Sequence, residues 1–262
     1  MARPDRISVI VTTYNAPDYL GRVLDGYLQQ TRLPDEVVVA DDGSGAETVA
    51  VVDAFRAKAP FPVQHVWHED QGFRAAKIRN EAIKASQGSY LIFTDGDCIP
   101  HRFFVEDHAA LAAEGWFVQG KRMLVQQKSA EHFCPGSVGA LWLACLRGEL
   151  RGCHHLVRIA GAVVRPTGLR GIKTCNFAVH RAAALAVNGF NEAFEGWGRE
   201  DAEFAARLLG SGCRRKDPIF SALVFHLWHP ENSRSALAEN DRLLAEAIAG
   251  GVAWCREGIV KP

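Results

Sequence analysis

One pattern recurs between residues 7 and 94 and limits the fold more than any other feature: a short, continuous run of β-branched and apolar residues, followed by an amphipathic stretch. The runs are Ile7 to Thr12 (ISVIVT), Glu36 to Asp41 (EVVVAD), Val63 to Trp67 (VQHVW) and Tyr90 to Thr94 (YLIFT). Between them, Pro17 to Gln30 sets Tyr19, Leu20, Val23, Leu24, Tyr27 and Leu28 at helical spacing. Ala46 to Ala57 and Ala75 to Ser86 read as two more helices, the latter closed by Gly88. Strands without polar alternation must be covered on both faces. The expected class is therefore α/β, a mainly parallel sheet with helices on both sides. Such sheets bind ligands beyond the carboxyl ends of their strands. Thr13-Tyr14-Asn15, Asp41-Asp42-Gly43-Ser44 and Asp95-Gly96-Asp97 fall at that edge.

Two acidic motifs carry the chemistry. TDGDCIP, Thr94 to Pro100, follows the fourth strand run, and FEGWGREDAEFAARL covers Phe194 to Leu208. Asp95 and Asp97 share a face in extended chain and suit a hard divalent cation, although Asp-Gly is also a common turn pair. Glu200 and Asp201 open a helix expected over Arg199 to Leu209, with Phe204, Ala205 and Leu208 on the face of Asp201. A carboxylate there can take a proton from an attacking hydroxyl. The plain alternative is acids stabilising a helix start, which fits Glu203 better because Arg207 lies four residues on. Together the motifs suggest metal-assisted group transfer from a nucleotide-linked donor.

Weaker signals lie at a strand end, at a helix start and at the end of a later strand. Asp42 can accept hydrogen bonds from a base or ribose, or belong to a turn capped at Ser44. Arg74, Lys77 and Arg79 at a helix start suit phosphates, or form a solvated face. His226 and His229 flank Leu227 and Trp228 at the end of a last strand expected over Ala222 to Trp228, and either imidazole can complete a metal shell. A C-terminal helix is expected over Leu237 to Ala249, and Gly210 and Gly212 are expected to end the one before it. Residues 116–180 mix short apolar runs with Gly, Pro and basic residues, and read as the acceptor-facing half. No internal repeat or low-complexity segment is present.

The 30 Lys and Arg balance the 30 Asp and Glu, which argues against a general nucleic-acid binder. Residues 147–173 are locally basic, with Arg147, Arg151, Arg158, Arg165, Arg170 and Lys173 against Glu149 alone, a bias that suits an anionic acceptor or a membrane surface. No secretory signal opens the chain. Its seven cysteines are odd in number, lack CxxC spacing, and are expected as reduced cytosolic thiols. Cys153-His154-His155 lacks a second ligand pair for zinc. Val138 to Leu146 is too short to span a bilayer.

VIVTTYN, DDGS, QGFRAAKIRN, TDGDCIP and GFNEAFEGWGREDAEFAARL, in that order from about residue 7 to about residue 230, resemble a family 2 glycosyltransferase of GT-A fold. GWGRED is also similar to the GWGGED segment of β-1,4-galactosyltransferases and chondroitin-type polymerases. The resemblance implies a single domain over 1–262, with a nucleotide-binding half (1–98), an acceptor half (99–230) and a helical tail (231–262). It implies an inverting hexosyltransferase that uses Mn²⁺ or Mg²⁺. The donor would be a UDP-sugar and the acceptor a glycan or lipid-linked glycan, with no nucleic acid. A cytoplasmic setting follows, peripheral at the inner membrane face. The nucleotide-sugar set would be Thr13, Asn15, Asp42, Arg74, Arg79, Asp95, Gly96 and Trp197. Asp97 would bind the metal with His226, His229 being its rival. Asp201 would be the base, and Glu200 would hold a sugar. Arg199 departs from the glycine usual in that motif. The rivals are a haloacid-dehalogenase-like phosphohydrolase, suggested by Asp95-x-Asp97, and a non-catalytic nucleotide-sugar-binding module. A nucleotidyltransferase would need a glycine-rich N-terminal loop that VTTYNAPD does not supply.

Overall fold

The computed structural model describes residues 4–159, 161–231 and 233–261. The first half runs β1 (Ile7–Thr13), α1 (Pro17–Leu28), β2 (Glu36–Asp41), α2 (Ala46–Lys58), β3 (Val63–Trp67), α3 (Ala75–Ala85), β4 (Tyr90–Asp95), β5 (Cys98–Pro100) and α4 (Phe104–Leu111). The second runs β6 (Trp116–Gln119), β7 (Lys121–Val125), α5 (Gln127–Ala130), α6 (Val138–Leu146), β8 (Leu150–Arg151), a 3₁₀ turn (Cys153–Leu156), β9 (Val163–Val164), β10 (Asn176–His180), α7 (Arg181–Ala186), α8 (Glu200–Gly210), β11 (Arg214–Pro218), β12 (Leu223–His226) and α9 (Leu237–Gly250).

The main sheet has eight strands in the order β3-β2-β1-β4-β10-β6-β11-β9, and a second sheet has four, β5-β12-β7-β8. β1, β2, β3 and β4 pair in parallel, as the apolar runs require. β10 then enters antiparallel between β4 and β6, so one sheet continues through both halves of the chain. Alternate residues of β1 feed two cores. Val9 and Val11 pack with Leu20, Val23, Phe55 and Phe104 from α1, α2 and α4. Ile10 packs with Ile78, Phe190 and Phe204 on the side of α3 and α8. Burial of both faces explains the absence of polar alternation.

Two local expectations are corrected. Ser44 does not cap α2: Gly45 holds that position, and the Ser44 hydroxyl accepts the Asn15 amide instead. The cysteines are not all reduced. Cys145 at the end of α6 and Cys153 in the 3₁₀ turn form a disulfide, their Cα atoms 6.1 Å apart and so within its ordinary span. The other five are free. Among the described residues, no helix is long and apolar enough to cross a membrane.

Candidate active site

The carboxyl ends of β1, β2 and β4 form one edge, and its loops are tied together before any ligand enters. Asn15 takes a left-handed backbone (φ 44°), which Asn tolerates better than most residues. Its amide donates to Ser44 Oγ (2.8 Å), and its Oδ1 accepts the Gly45 amide (3.3 Å). Asp42 is buried, accepting from the Arg74 amide (2.8 Å) and facing His68 Nε2 (2.7 Å). The Arg74 side chain bonds to Gln71. Gly96 lies against β1, where an added Cβ would meet Thr13 Oγ1 at 3.0 Å. Side chains seldom make so tight a contact, and glycine avoids it.

Arg79 joins the two acidic motifs. Its guanidinium, buried on α3, donates to Thr12 Oγ1 (3.2 Å), Asp95 Oδ1 (3.3 Å) and Glu200 Oε1 (3.0 Å). The ends of β1 and β4 are thereby bound to the start of α8. Asp95 still has its carboxyl pushed up to about 6, first by burial and then by the charges of Asp97 and Glu200, against the pull of Arg79. Glu200 Oε2 and Thr13 Oγ1 are buried without a hydrogen-bond partner among the described residues. Unsatisfied polar atoms at a sheet edge are where the groups of a ligand fit.

Beyond Asp95 the chain turns, and Leu227 donates its amide to the Asp97 carbonyl (2.8 Å). This tie brings the exit of β12 against the DGD turn. Asp97 Oδ2 lies 3.0 Å from His229 Nε2 and 3.6 Å from His226 Nε2. Candidate ligand atoms of all three lie within 4.8 Å of one another. Both histidines converge on Asp97. One carboxylate and two imidazoles are a donor set that a first-row divalent ion accepts, and it fits Mn²⁺ better than Mg²⁺, which prefers oxygen throughout.

Glu200 and Asp201 begin α8 after a strained turn. Gly196 and Gly198 have φ of 71° and 105°, and Arg199 itself adopts the left-handed region (φ 79°). The backbone thus keeps a glycine geometry although the residue is arginine, and Arg199 Nε pairs with Asp241 of α9 (2.5 Å). Buried Asn240, also on α9, donates to the carbonyls of Glu195 (3.0 Å) and Gly198 (2.9 Å). Trp197 is partly exposed on this turn, with the Arg234 guanidinium 5.7 Å over its ring. Burial, then the charge of Glu200, pushes the Asp201 carboxyl up to about 7. Glu203 forms a buried fork with Arg207 (2.7 Å), which leaves the first-turn pair for other work.

Strand periodicity placed Thr13, Asn15, Asp42, Asp95 and Asp97 at one edge, but it gave no sign that Arg79 spends its donors on protein acceptors. It also missed Asn240, which carries no motif. His65, in the middle of β3, lies 2.9 Å from Asp41, and for His68, just past the end of that strand, the position beside Asp41-Asp42 was the available signal.

The sequence model of glycosyl transferase family 2 matches residues 8–133, and that of the N-terminal domain of galactosyltransferase matches residues 154–229. Chondroitin synthase of Escherichia coli is 25% identical over 262 residues, covering 93% of this chain and 37% of that protein. Validoxylamine A glucosyltransferase of Streptomyces hygroscopicus subsp. limoneus is 28% identical over 228 residues, covering 79% of this chain and 48% of the other. The chain thus spans less than half the length of each of these curated relatives. Staphylococcus aureus TarS 1-349 in complex with UDP-GlcNAc shares the fold, with a TM-score of 0.65 at 21% identity over 94% of this chain and 69% of that one. The mannosyltransferase of Pyrobaculum calidifontis in complex with GDP-Man and Mn²⁺ shares it with a TM-score of 0.59 at 20% identity over 95% and 64%. The ordered motifs, the two family matches that follow them along the chain and the shared fold lead to one conclusion: the chain has the GT-A fold, with a glycosyl transferase family 2 segment over residues 8–133 and a galactosyltransferase-type segment over residues 154–229.

Proposed function

We propose that this chain transfers a sugar of the Gal, GalNAc, GlcNAc or Glc class from a UDP-sugar to a hydroxyl of a glycan or lipid-linked glycan, with inversion, in bacterial surface polysaccharide or lipopolysaccharide synthesis. The observation that carries this reading is the Arg79 bridge. It ties Asp95, two residues before Asp97 of a cluster fit for a divalent ion, to Glu200, the neighbour of the proton-accepting Asp201. The UDP-GlcNAc complex of TarS and the polysaccharide synthases among the relatives support the donor and product classes.

Residues 1–98 hold the nucleotide in this reading, with Thr13, Asn15, Asp42, Arg74, Asp95 and Gly96 lining its path. Residues 99–230 receive the acceptor, and 231–262 buttress the acidic turn. Asp97, His226 and His229 would hold Mn²⁺, which neutralises charge on the departing diphosphate. Asp201 takes the proton of the acceptor hydroxyl as its oxygen bonds to the anomeric carbon. The bond from that carbon to the UDP oxygen breaks, and its electron pair leaves with UDP. Attack from the opposite face turns an α-linked donor into a β-linked product. Glu200, held by Arg79, keeps Oε2 for a sugar hydroxyl, and Trp197 offers an apolar face to the ring.

Peripheral contact with the cytoplasmic membrane face is part of the proposal. Helix α6 turns Val138, Trp142 and Leu146 outward at four-residue spacing beside exposed Arg147 and Arg151, as an interfacial helix does.

Calorimetry with a UDP-sugar panel and Mn²⁺, Mg²⁺ or chelator tests the reading on wild type and Asp97→Ala. One UDP-sugar should bind with metal, and the variant should weaken it by at least the ~10–100-fold typical of losing even an outer-shell partner. Absence of nucleotide binding with every metal would overturn the proposal and direct attention to phosphatase activity.

A further inference from the structure

A cavity of about 190 Å³ beside the Asp97–His226–His229 cluster has no role in this mechanism. Its position follows from strand register. Arg122 in its wall pairs across β7 and β12 with Val224, two residues before His226. Asn176, also in the wall, pairs across β10 and β4 with Thr94, the residue before Asp95. The cavity therefore abuts both strands that deliver the cluster.

The wall is pre-built. Buried Asn176 donates to the carbonyls of Lys121 and Ala222, both at 2.7 Å, and its Oδ1 meets His108 Nε2 at 2.9 Å. Gly120 is needed for this packing, since a Cβ there would fall 2.0 Å from Asn176 Oδ1. His155 turns Nδ1 to the Ile219 carbonyl (3.1 Å), which leaves Nε2 for a ligand oxygen.

The charge is one-sided. Lys121, Arg122 and Lys173 line the cavity, and no carboxylate does. Lys121 is held by Asp217 (3.3 Å), itself forked to Arg215. Among the described residues, Arg122 reaches only the Cys175 sulfur (3.9 Å). Lys173 makes no side-chain ion pair among the described residues, although its backbone is fixed by Gln119 (2.8 Å). In a chain of zero net charge, two uncommitted cations in one polar cavity are a local feature.

We propose that this cavity is an acceptor subsite for an anionic sugar, one bearing a carboxylate or a phosphate, whose charge Arg122 and Lys173 receive. The proposal rests on the transferase reading and narrows its acceptor. Arg122 supplies a planar fork that matches either anion, and Lys173 a point charge. The charge of Lys173 also draws the Asp201 carboxyl downward.

The test uses the full chain with UDP and Mn²⁺ and three probes: methyl β-D-glucuronide, glucose 6-phosphate and neutral methyl β-D-glucoside. Saturation-transfer NMR should show at least one anionic probe binding about tenfold or more tighter than the glucoside, as charge-assisted hydrogen bonds provide. The stronger of the two identifies the anion. Arg122→Met and Lys173→Met should each erase most of that preference with UDP affinity unchanged. Equal binding of charged and neutral probes, with UDP still bound, overturns the subsite alone. Variants that lose UDP affinity and keep the anion preference assign the cations to the donor, and also overturn it. Failure of the wild type to bind UDP with Mn²⁺ overturns the transferase reading itself.

Discussion

Arg79 ties Asp95 at the end of β4 to Glu200 at the start of α8, yet the carboxylates that lie just beyond each, Asp97 and Asp201, are treated in opposite ways by their surroundings. Burial opposes ionisation of Asp97, but the hydrogen bond from His229 and the nearby His226 outweigh it and hold the carboxyl low. Asp201 has no such partner. Its hydrogen bond comes from the adjacent Ala202 amide (2.7 Å), so burial and the Glu200 charge prevail. A carboxylate kept charged is equipped to hold a cation, whereas one poised near neutrality is equipped to take a proton. The same residue type is thus given two tasks by what faces it.

Asp201→Asn should break this comparison most sharply. The side chain keeps its size and loses its basicity, so kcat should fall by roughly 10²–10⁴, the usual contribution of a general base. UDP affinity in the presence of Mn²⁺ should not change. Wild-type turnover in the variant would remove Asp201 from the mechanism, and lost UDP binding would mean that the two carboxylate regions are not separable.

The second prediction concerns what holds Asp201 in place. Asn240 lies outside every motif, but its amide satisfies two carbonyls of the turn that delivers the acidic pair. Asn240→Ala would free that turn to shift, and displacement of a catalytic group by about 1 Å can cost on the order of 100-fold. The expected outcome is a fall in kcat of roughly 10–100-fold at unchanged UDP affinity, partly restored in Asn240→Gln. Equal losses in both measurements would mean general destabilisation rather than positioning.

The two halves were unequally legible in the sequence. β1, β2 and β4 stood out because each is buried on both faces, which forces an apolar run, whereas β3, at the edge of the sheet, is only partly buried beyond Val63 and keeps Gln64 and His65. The strand ends, and with them Asp42, Asp95 and Asp97, came with those runs. β6, β7 and β10 are each five residues or fewer, lie amid basic and glycine-rich chain, and include one strand of reversed direction. Periodicity carries no information on direction. Nor does it carry contacts at long range: Arg79 and Glu200 are 121 residues apart, and Cys145 and Cys153 meet only because α6 and the 3₁₀ turn fold back on each other. The acidic motifs could be read as chemistry, while the arginine and asparagine that join and brace them could not.

The smallest expected effect follows from the proton on Asp201. The active form is the deprotonated one, so kcat/KM should fall about tenfold per pH unit below roughly 7 and level off above it. Stability should run the other way. A carboxyl raised from 3.8 to about 7 binds its proton more tightly in the folded chain, so folding is favoured at low pH and loses that contribution as pH rises through the folded value. Asp201→Asn has no proton to lose. It should therefore melt above the wild type at pH 8, with a gap that narrows at pH 5 as the wild-type carboxyl becomes protonated. A gap of equal size at both values would mean that Asp201 is not raised by its surroundings. The contrast with Asp97 would then lie in geometry alone, since the base would stay ionised throughout and the rate would lose its dependence on pH near 7. If both trends appear, the site accepts a less stable fold at neutral pH in return for a carboxylate basic enough to activate a hydroxyl.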